Sequence, residues 1–366
     1  MLTQTNHRET YRFVPSTSTP VSPERVAELL KAEWELFTKQ TGKSAEESRR
    51  ALKSLPLGVT SSFQHWDPYP ISIVSAKGAW MTDVDGRQLL DLSMGFGAML
   101  AGHLNPVIVE EVKKALETGT LFVTPSPIST DAAERICRRF GIDQVRFTNS
   151  GTESTMYAVR TARAATDKNA IVKIEGGYHG SYDPFVVSSK PPLDKIGDAE
   201  DPIAYTPEGI VPGEMYVVPY NNADSLERTF KKHGSSIACF ILEPVLENLG
   251  IILPDEGYLE RVRELCDEYN VVLIFDEVKT GLTAGHQGAS QRLGVTPDLI
   301  TLAKSIGGGL TLAAFGGKKK YMDFVTNGKM AHFGTFNGNP LAMAGVRAAD
   351  VIFTHDSLVQ AEKFNQ

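Results

Sequence analysis

The hydrophobic pattern of the chain after about residue 105 alternates between two kinds of segment. Short segments that are apolar throughout predict buried strands, and segments with apolar residues at helical spacing predict amphipathic helices. The predicted strands cover residues 144–149, 170–175, 214–220, 238–244, 271–277, 298–303 and 312–317, and the predicted helices cover 130–140, 152–165, 222–233 and 256–269. Apolar strands with intervening helices are typical of a mostly parallel sheet that helices cover on both faces. The pattern therefore predicts an α/β fold.

The first hundred residues follow a different pattern. Residues 1–22 are polar and predict a loose arm, whereas residues 23–40 carry apolar residues at helical spacing and predict a helix. Residues 71–92 alternate around the turn signal Asp85–Gly86, which predicts a small antiparallel sheet. Residues 1–100 should thus form an arm, a helix and a small α+β domain.

The last segment of the chain predicts a linking helix. Residues 339–358 have the apolar spacing of one long helix, and the chain ends shortly after it. Such a helix usually leads into a structure against which it packs. We therefore expect residues 339–366 to link the large α/β domain, residues 101–338, to a C-terminal domain that is truncated here.

Composition and charge argue against several classes of function. The chain has 44 acidic and 37 basic residues, a net charge of −7 and no basic run, so we expect no nucleic-acid partner. Its apolar runs are too short to cross a bilayer and its first residues lack the apolar segment of a signal peptide, so we expect no membrane association. Cys137, Cys239 and Cys266 have an odd count and no CxxC spacing, which argues against a disulfide framework or a zinc site. We therefore expect a cytoplasmic protein without a metal site.

Polar residues follow three of the predicted strands, at the edge where open parallel sheets bind ligands. At the first strand end, Ser150–Gly151–Thr152 stands where a helix begins. Ser150 or Thr152 can be a plain helix cap. The same residues can also hold a phosphate, because free N–H groups, a glycine that permits close approach and two hydroxyl groups bind anions.

The second strand end carries the adjacent carboxylates Asp276 and Glu277, directly after an apolar run. Such a pair can be solvated, can bind a metal, or can place one acid opposite a cation. No HxxxH, HxH or CxxC spacing supplies further metal ligands. An acid that pairs with the ring nitrogen of a ligand is the functional alternative to a solvated pair.

The third strand end carries Lys304, a single lysine in the apolar and glycine-rich stretch 301–317. Gly307, Gly308 and Gly309 follow this lysine, whereas a Walker loop has its glycines before the lysine, so the stretch predicts no nucleotide site. A lysine in apolar surroundings either pairs with an acid or loses its proton, and the neutral amine can form a Schiff base with a carbonyl group. A phosphate-binding helix start, an acid for a ring nitrogen and a Schiff-base lysine are together the parts of a pyridoxal 5'-phosphate site.

From about residue 58 onward the chain resembles the class III, fold type I, pyridoxal-phosphate-dependent aminotransferases. The matching motifs are AKGAWMTDVDGRQLLDL, AGHLNP, VRFTNSGTESTMYAVRTAR, KIEGGYHGSYD, LEPVLENLG, GYLERVRELCDEYNVVLIFDEVKTG, GVTPDLITLAKSIGGGL and GTFNGNPLAMAG. Within this family the sequence is most similar to the glutamate-1-semialdehyde 2,1-aminomutases. The resemblance implies the fold type I architecture, pyridoxal 5'-phosphate as cofactor and a homodimer with shared active sites.

The resemblance also implies a role for each motif residue. Lys304 would form the Schiff base with the cofactor and then act as the base, and Asp276 would pair with the pyridine nitrogen. The other cofactor-binding residues would be Ser150, Gly151 and Thr152 at the phosphate, Val278 and Tyr178 on the two ring faces, His179 beside that tyrosine, Glu243 and Asn248 near the phenolic oxygen, and Thr335, from a neighbouring subunit, at the phosphate.

Two positions near the expected substrate depart from the family pattern. Gln64 stands where the aminomutases have an arginine for the substrate carboxylate, and the arginine that β-amino-acid transaminases have near Ser61 is also absent. Lys279 replaces the methionine of the aminomutases and the glutamine of many transaminases. Its charge can favour the phenolate form of the cofactor, or the side chain can turn away and pair with Glu277 or Glu247.

The implied activity is amino-group transfer on a small amine or amino acid. The leading expectation is conversion of glutamate-1-semialdehyde to 5-aminolevulinate, because the sequence is most similar overall to the aminomutases. A transaminase that acts on an amine or β-amino acid with a keto-acid acceptor is the alternative, because of Gln64. The expected truncation adds a third interpretation, a non-catalytic homologue with the same fold.

Overall fold

The computed structural model describes residues 22–198 and 202–364. The predicted arm lies outside these ranges except for Ser22, the N-cap of the first helix. The helices are α1 (Pro23–Gln40), α2 (Gly42–Ala51), α3 (Pro106–Thr118), α4 (Pro127–Phe140), α5 (Gly151–Thr166), α6 (Asp183–Val186), α7 (Ala223–His233), α8 (Tyr258–Glu268), α9 (Thr280–Thr283), α10 (Gly288–Leu293), α11 (Lys319–Thr326), α12 (Pro340–Ile352) and α13 (His355–Phe364). The strands are β1 (Ile73–Lys77), β2 (Trp80–Asp83), β3 (Gln88–Leu90), β4 (Gln144–Thr148), β5 (Ala170–Ile174), β6 (Met215–Val218), β7 (Ile237–Leu242), β8 (Val272–Asp276), β9 (Leu299–Ala303) and β10 (Ala313–Gly317).

The chain forms two compact units. The first consists of the described residues up to Ser75 together with Met81–Leu89, and the second consists of Ala76–Trp80 and the chain from Leu90 onward. The predicted domain limits at residues 100 and 338 stay predictions.

The first unit contains α1 and α2. Strands β1, β2 and β3, whose residues are divided between the two units, pair in that order in a three-stranded sheet. The predicted turn at Asp85–Gly86 lies between β2 and β3, and the positive φ of Gly86 (91°) suits a glycine. The Asp85 carboxylate accepts hydrogen bonds from the backbone N–H groups of Lys43 (2.8 Å) and Ser44 (3.1 Å). These groups lie in the first turn of α2 and have no acceptor within the helix, so the turn caps α2 from a distance in sequence.

The second unit contains a seven-stranded sheet with the order β4-β10-β9-β8-β7-β5-β6. Five of its strands, from β9 to β6, pair in parallel, and β10 is antiparallel to both of its neighbours. This arrangement confirms the predicted α/β fold with a mostly parallel sheet. The observed strands are one to three residues shorter than predicted, and the missing residues lie at either end of the predicted segments.

Helices cover both faces of this sheet. Phe240 and Leu242 of β7 pack into one core with residues of α7 and α8. Their neighbours Cys239 and Ile241 point the other way and pack with residues of α5 and α11. Because successive side chains of a strand face opposite sides, a strand with both faces covered must be apolar throughout.

The prediction of one helix over residues 339–358 is wrong. Helix α12 ends at Ile352, and α13 begins at His355. Phe353 leaves helical geometry with ψ at 65°, and its carbonyl oxygen accepts a hydrogen bond from Arg139 (2.7 Å). The Thr354 hydroxyl accepts a hydrogen bond from Ser357 N (3.1 Å), so it caps the next helix. Apolar spacing continues across the break, which is why the pattern did not reveal it.

No helix among the described residues is long and apolar enough to span a membrane.

Candidate active site

The three strand ends singled out from the sequence meet at one cavity of about 320 Å³ in the second unit. Strands β4, β8 and β9 run in the same direction and end at this edge of the sheet. The predicted residues that line the cavity are Ser150, Gly151, Thr152, Tyr178, His179, Glu243, Asn248, Asp276, Val278, Lys279 and Lys304. The structure thus brings together side chains that lie up to 154 positions apart, from Ser150 to Lys304.

The N-terminus of α5 forms one wall of the cavity. Ser150 is the N-cap, and its hydroxyl accepts a hydrogen bond from Glu153 N (3.2 Å), so the plain cap exists. The Thr152 hydroxyl accepts a hydrogen bond from Ser181 N (3.1 Å). A Cβ atom at Gly180 would overlap Thr152, which is why only glycine fits there. A 16-residue helix concentrates partial positive charge at this end, so the cap and an anion site coexist.

Asp276 ends β8 and is held rigidly, with 4% of its surface exposed. Its Oδ1 accepts hydrogen bonds from Val278 N (3.0 Å) and from the Thr301 hydroxyl (3.2 Å). Its Oδ2 lies 2.7 Å from His179 Nδ1. The His179 side chain is fully buried, and its Nε2 has no hydrogen-bond partner among the described residues. The carboxylate is therefore fixed in orientation at the cavity wall.

Glu277, the neighbour of Asp276, points away from the cavity and is fully buried. Its carboxylate accepts hydrogen bonds from Ala289 N (2.6 Å) and Ser290 N (2.9 Å) at the start of α10. The two adjacent acids therefore have separate partners and do not form a shared site. Among the described residues, no group of three or more His, Cys, Asp or Glu is arranged to hold a metal ion.

Lys304 begins a short 3₁₀ turn after β9 with φ at +54°, a left-handed conformation that is uncommon for lysine. Strain of this kind is frequent at functional sites. Within the described part of the chain its amine has no hydrogen-bond or ion-pair partner, so the alternative of an ion-paired lysine does not hold. Burial is the largest influence on the Lys304 pKa and lowers it; the charge of Asp276 opposes this shift and the charge of Lys279 adds to it.

The glycines after Lys304 serve packing. Gly308 and Gly309 both have positive φ (61° and 89°). A Cβ atom at Gly308 would lie 2.9 Å from Ile108 of α3, and one at Gly309 would overlap Met99. These glycines thus let the turn approach α3 and the segment before it.

A buried acid lies on another side of the cavity. Glu243, after β7, accepts hydrogen bonds from Asn248 Nδ2 (2.9 Å) and from Tyr178 N (3.4 Å). Burial raises the pKa of the Glu243 carboxyl. Tyr178 is 45% exposed and also lines the cavity.

Some lining residues were not predicted, notably Thr155 and Gly180. Thr155 lies one helical turn after Gly151, and its hydroxyl donates a hydrogen bond to the His179 carbonyl (2.7 Å). The four-residue spacing on α5 is the sequence signal that could have indicated Thr155.

Two predicted site residues are not among those that line the cavity. Thr335 is exposed in the loop before α12. Gln64 belongs to the first unit, where its Oε1 accepts hydrogen bonds from the Thr60 hydroxyl (2.7 Å) and Ser61 N (3.1 Å). The roles predicted for both stay predictions.

The cavity fits pyridoxal 5'-phosphate in the chemistry of its side chains. The N-terminus of α5 with its hydroxyl groups suits a phosphate, the fixed Asp276 suits a protonated ring nitrogen, and the unpartnered Lys304 suits an aldehyde. These three groups line one cavity, as the cofactor requires.

Comparison with known proteins gives the same family. The family model described as "Aminotransferase class-III" matches residues 62–366. A glutamate-1-semialdehyde 2,1-aminomutase from Methanocorpusculum labreanum is 41% identical over 87% of this chain and 77% of its own length. One from Persephonella marina is 42% identical over 82% of this chain and 70% of its own length.

Solved structures agree with the sequence comparison. An ω-transaminase from Sphaerobacter thermophilus is 36% identical with a TM-score of 0.82, covering 86% of this chain and 73% of its own. A glutamate-1-semialdehyde-aminomutase variant from Pseudomonas aeruginosa PAO1 in complex with PMP is 27% identical with a TM-score of 0.83, covering 92% of this chain and 76% of its own. This chain therefore belongs to the class III aminotransferases, a family of pyridoxal-phosphate-dependent enzymes.

Proposed function

We propose that this enzyme moves an amino group in the cavity at the carboxyl edge of the sheet, with conversion of glutamate-1-semialdehyde to 5-aminolevulinate as the leading activity. The observation that carries this proposal is the unpartnered amine of Lys304 in one cavity with Asp276 and the N-terminus of α5. When bound, pyridoxal 5'-phosphate supplies an electron sink for negative charge on the substrate carbon.

The side chains at the cavity wall hold and tune the cofactor. Ser150, Gly151 and Thr152 present hydroxyl and N–H groups to the phosphate. Asp276 holds a proton on the ring nitrogen, and its own orientation is maintained by His179. The rigid hydrogen bonds of Asp276 mean that this carboxylate needs no rearrangement during the reaction.

Lys304 is the nucleophile and the base. It would hold the cofactor covalently through its amine, and that amine would be free when the substrate is bound. The freed amine, whose pKa burial lowers, then takes a proton from the substrate carbon that bears the nitrogen.

The remaining cavity residues orient the cofactor ring. Val278 and Tyr178 would hold its two faces, and Glu243 and Asn248 would bind near its phenolic oxygen. Because burial raises the pKa of Glu243, this carboxyl can hold a proton toward that oxygen.

The enzyme works as a homodimer in which Thr335 reaches the phosphate of the neighbouring subunit. The exposed aromatic residues on either side of Thr335, Phe333 (82%) and Phe336 (60%), support this part of the proposal. Mixed dimers of Lys304→Ala and Thr335→Ala chains test it. If Thr335 acts across the dimer, one of the two sites carries both original residues and activity returns; if Thr335 acts within its own chain, mixing restores nothing.

The choice between the two activities rests on the fate of the substrate. A single-turnover reaction with glutamate-1-semialdehyde should release 5-aminolevulinate and no free keto product. Stoichiometric release of a ketone from an amine or β-amino acid would instead support a transaminase that uses a keto-acid acceptor. The absence of an arginine at Gln64 favours this second activity, with Gln64 as a substrate-binding residue.

We propose a cytoplasmic location for the enzyme, as the sequence predicts. The cysteines Cys137, Cys239 and Cys266 are all free thiols in the structure, which supports a cytoplasmic location for the enzyme.

A further inference from the structure

Lys279 places a second amine at the cavity that contains Lys304. It lies between the end of β8 and the four-residue helix α9, and it lines the cavity. Its backbone is fixed, since its carbonyl oxygen accepts a hydrogen bond from the Thr283 hydroxyl (2.9 Å). Its charge also lowers the pKa of Lys304, which puts the two amines within electrostatic reach.

The positive charge of Lys279 has no carboxylate partner among the described residues. Of the two acids predicted as its partners, Glu277 is buried against the start of α10, and Glu247 accepts a hydrogen bond from the Thr283 hydroxyl (2.8 Å). Neither forms an ion pair with Lys279, so that alternative is wrong.

The acids that do line the cavity are also engaged elsewhere. Asp276 binds His179, and Glu243 binds Asn248. A cation in a partly enclosed cavity without an anion beside it is unfavourable, and a bound anion removes that cost.

We infer that Lys279 binds the carboxylate of the substrate, so that the substrates are amino acids rather than simple amines. This inference rests on the proposed function. The phosphate has its own site at α5, which leaves the substrate carboxylate and the phenolate of the cofactor as anions for Lys279, and the experiment below separates these two. A lysine at this position also supplies the cation that the chain lacks at Gln64.

Binding of a non-reactive ligand pair tests the inference without turnover. Glutarate and its uncharged diamide, glutaramide, have the same carbon chain, and their binding can be followed through the visible absorbance of the bound cofactor. We expect wild-type enzyme to bind glutarate about tenfold or more tightly than glutaramide, as a charged hydrogen bond provides. Lys279→Met should abolish this preference, and Lys279→Arg should keep most of it.

Two further variants make the result decisive. Lys113→Met, which removes an exposed lysine of α3, should leave the preference unchanged. Lys279→Gln replaces Lys279→Met if the methionine variant does not retain the cofactor. Retention of the glutarate preference in Lys279→Met or Lys279→Gln would overturn the inference. A change in these variants that is confined to the pH dependence of the cofactor absorbance would also overturn it, because it would assign the charge of Lys279 to the cofactor.

The outcome separates this inference from the function on which it rests. If wild-type protein shows no cofactor absorbance that Lys304→Ala removes, the proposed function fails. If that absorbance is present but both ligands bind equally, only the role of Lys279 fails.

Discussion

The charged residues at the two ends of strand β9 differ in the number of partners that the protein supplies to them. At its amino end, Asp298 is buried and bound by Lys318 Nζ (2.7 Å), Arg263 Nη1 (3.0 Å) and Leu273 N (3.0 Å). Burial raises the pKa of Asp298, but the hydrogen bond from Lys318 and the charge of Arg263 outweigh it and lower the pKa overall. At the carboxyl end, Lys304 has no partner within the described residues.

The difference distinguishes a structural charge from a functional one. A buried charge whose partners belong to the protein stabilises a particular packing, and its removal leaves those partners unsatisfied. A partly buried charge without partners, such as that of Lys304, is costly to the folded chain and is available to a ligand. Substitutions at the two ends of β9 should therefore affect different measurements.

The largest expected effect is on activity, at the carboxyl end. Lys304→Ala removes both the nucleophile and the base, so the turnover rate should fall by at least about a thousandfold, with loss of the visible absorbance of the bound cofactor. Lys318→Ala is the matched control at the amino end and should retain that absorbance. A Lys304→Ala enzyme with near-normal turnover would contradict the role of this lysine.

Substitutions of the adjacent acids Asp276 and Glu277 should likewise affect different measurements. Asp276→Asn keeps the shape of the side chain but cannot hold the ring nitrogen protonated, so we expect turnover to fall about 100-fold or more, the scale of losing one preorganised electrostatic group. Glu277→Gln should lower the free energy of unfolding and leave turnover close to wild type. Steady-state kinetics and urea denaturation measure the two effects, and equal losses of turnover would show that both acids act in the site.

At the amino end the main effect should be on stability. Asp298→Ala leaves Arg263, Lys318 and the Leu273 N–H without their acceptor, so the free energy of unfolding should fall by about 3 kcal/mol. Asp267, whose side chain is 67% exposed, is the other carboxylate partner of Arg263. Asp267→Ala should therefore lower the free energy of unfolding by less than about 1 kcal/mol. Similar midpoints for the two variants in urea would contradict the distinction between a buried and an exposed partner.

Lys173 is a third lysine whose surroundings differ from those of Lys304, and it should make the stability of the protein depend on pH. Lys173 in β5 is fully buried, and its amine donates hydrogen bonds to the carbonyl groups of Val187 (2.6 Å) and Phe185 (3.3 Å). Burial lowers its pKa from 10.5 to about 7, against the opposing charges of Glu243 and Glu175.

The sign of the pH effect follows from this lowered pKa. Between pH 7 and 10.5 the unfolded chain holds a proton on Lys173 that the folded chain does not, so this group makes stability rise with pH. The slope should reach at most about 1.4 kcal/mol per pH unit. Urea denaturation at pH 7, 8 and 9 should show this rise in wild type relative to Lys173→Met, and parallel profiles would contradict it.

The smallest expected effect is at the start of α5. Ser150→Ala removes the N-cap hydroxyl and should lower the stability of the cofactor-free protein by about 1 kcal/mol. It should also weaken cofactor binding, measured by equilibrium titration with pyridoxal 5'-phosphate. A loss of stability with unchanged cofactor affinity would reduce Ser150 to a plain cap.

Local signals in the sequence revealed the elements and most of the cavity. The apolar runs end at Ser150, Asp276 and Lys304, and the rule that parallel strands end at a common edge predicts that these residues lie close together. The motif resemblance supplied Tyr178, Glu243 and Asn248.

Features that depend on contacts between distant segments could not be predicted in this way. The capping of α2 by Asp85, the break before α13 that involves Arg139, and the separate burial of Glu277 all depend on partners far along the chain. Spacing within one segment carries no information about these partners, so only the family resemblance distinguishes Asp276 from the adjacent acid Glu277 in the sequence.

Identification of the lysine that binds the cofactor tests the role of Lys304 most directly. Borohydride reduction of the protein with pyridoxal 5'-phosphate bound fixes the cofactor on its lysine, and peptide mass spectrometry then locates the modified residue. We expect one phosphopyridoxyl group per chain on Lys304 and none in Lys304→Ala. Stoichiometric labelling of Lys279 or another lysine in the wild-type protein would contradict it.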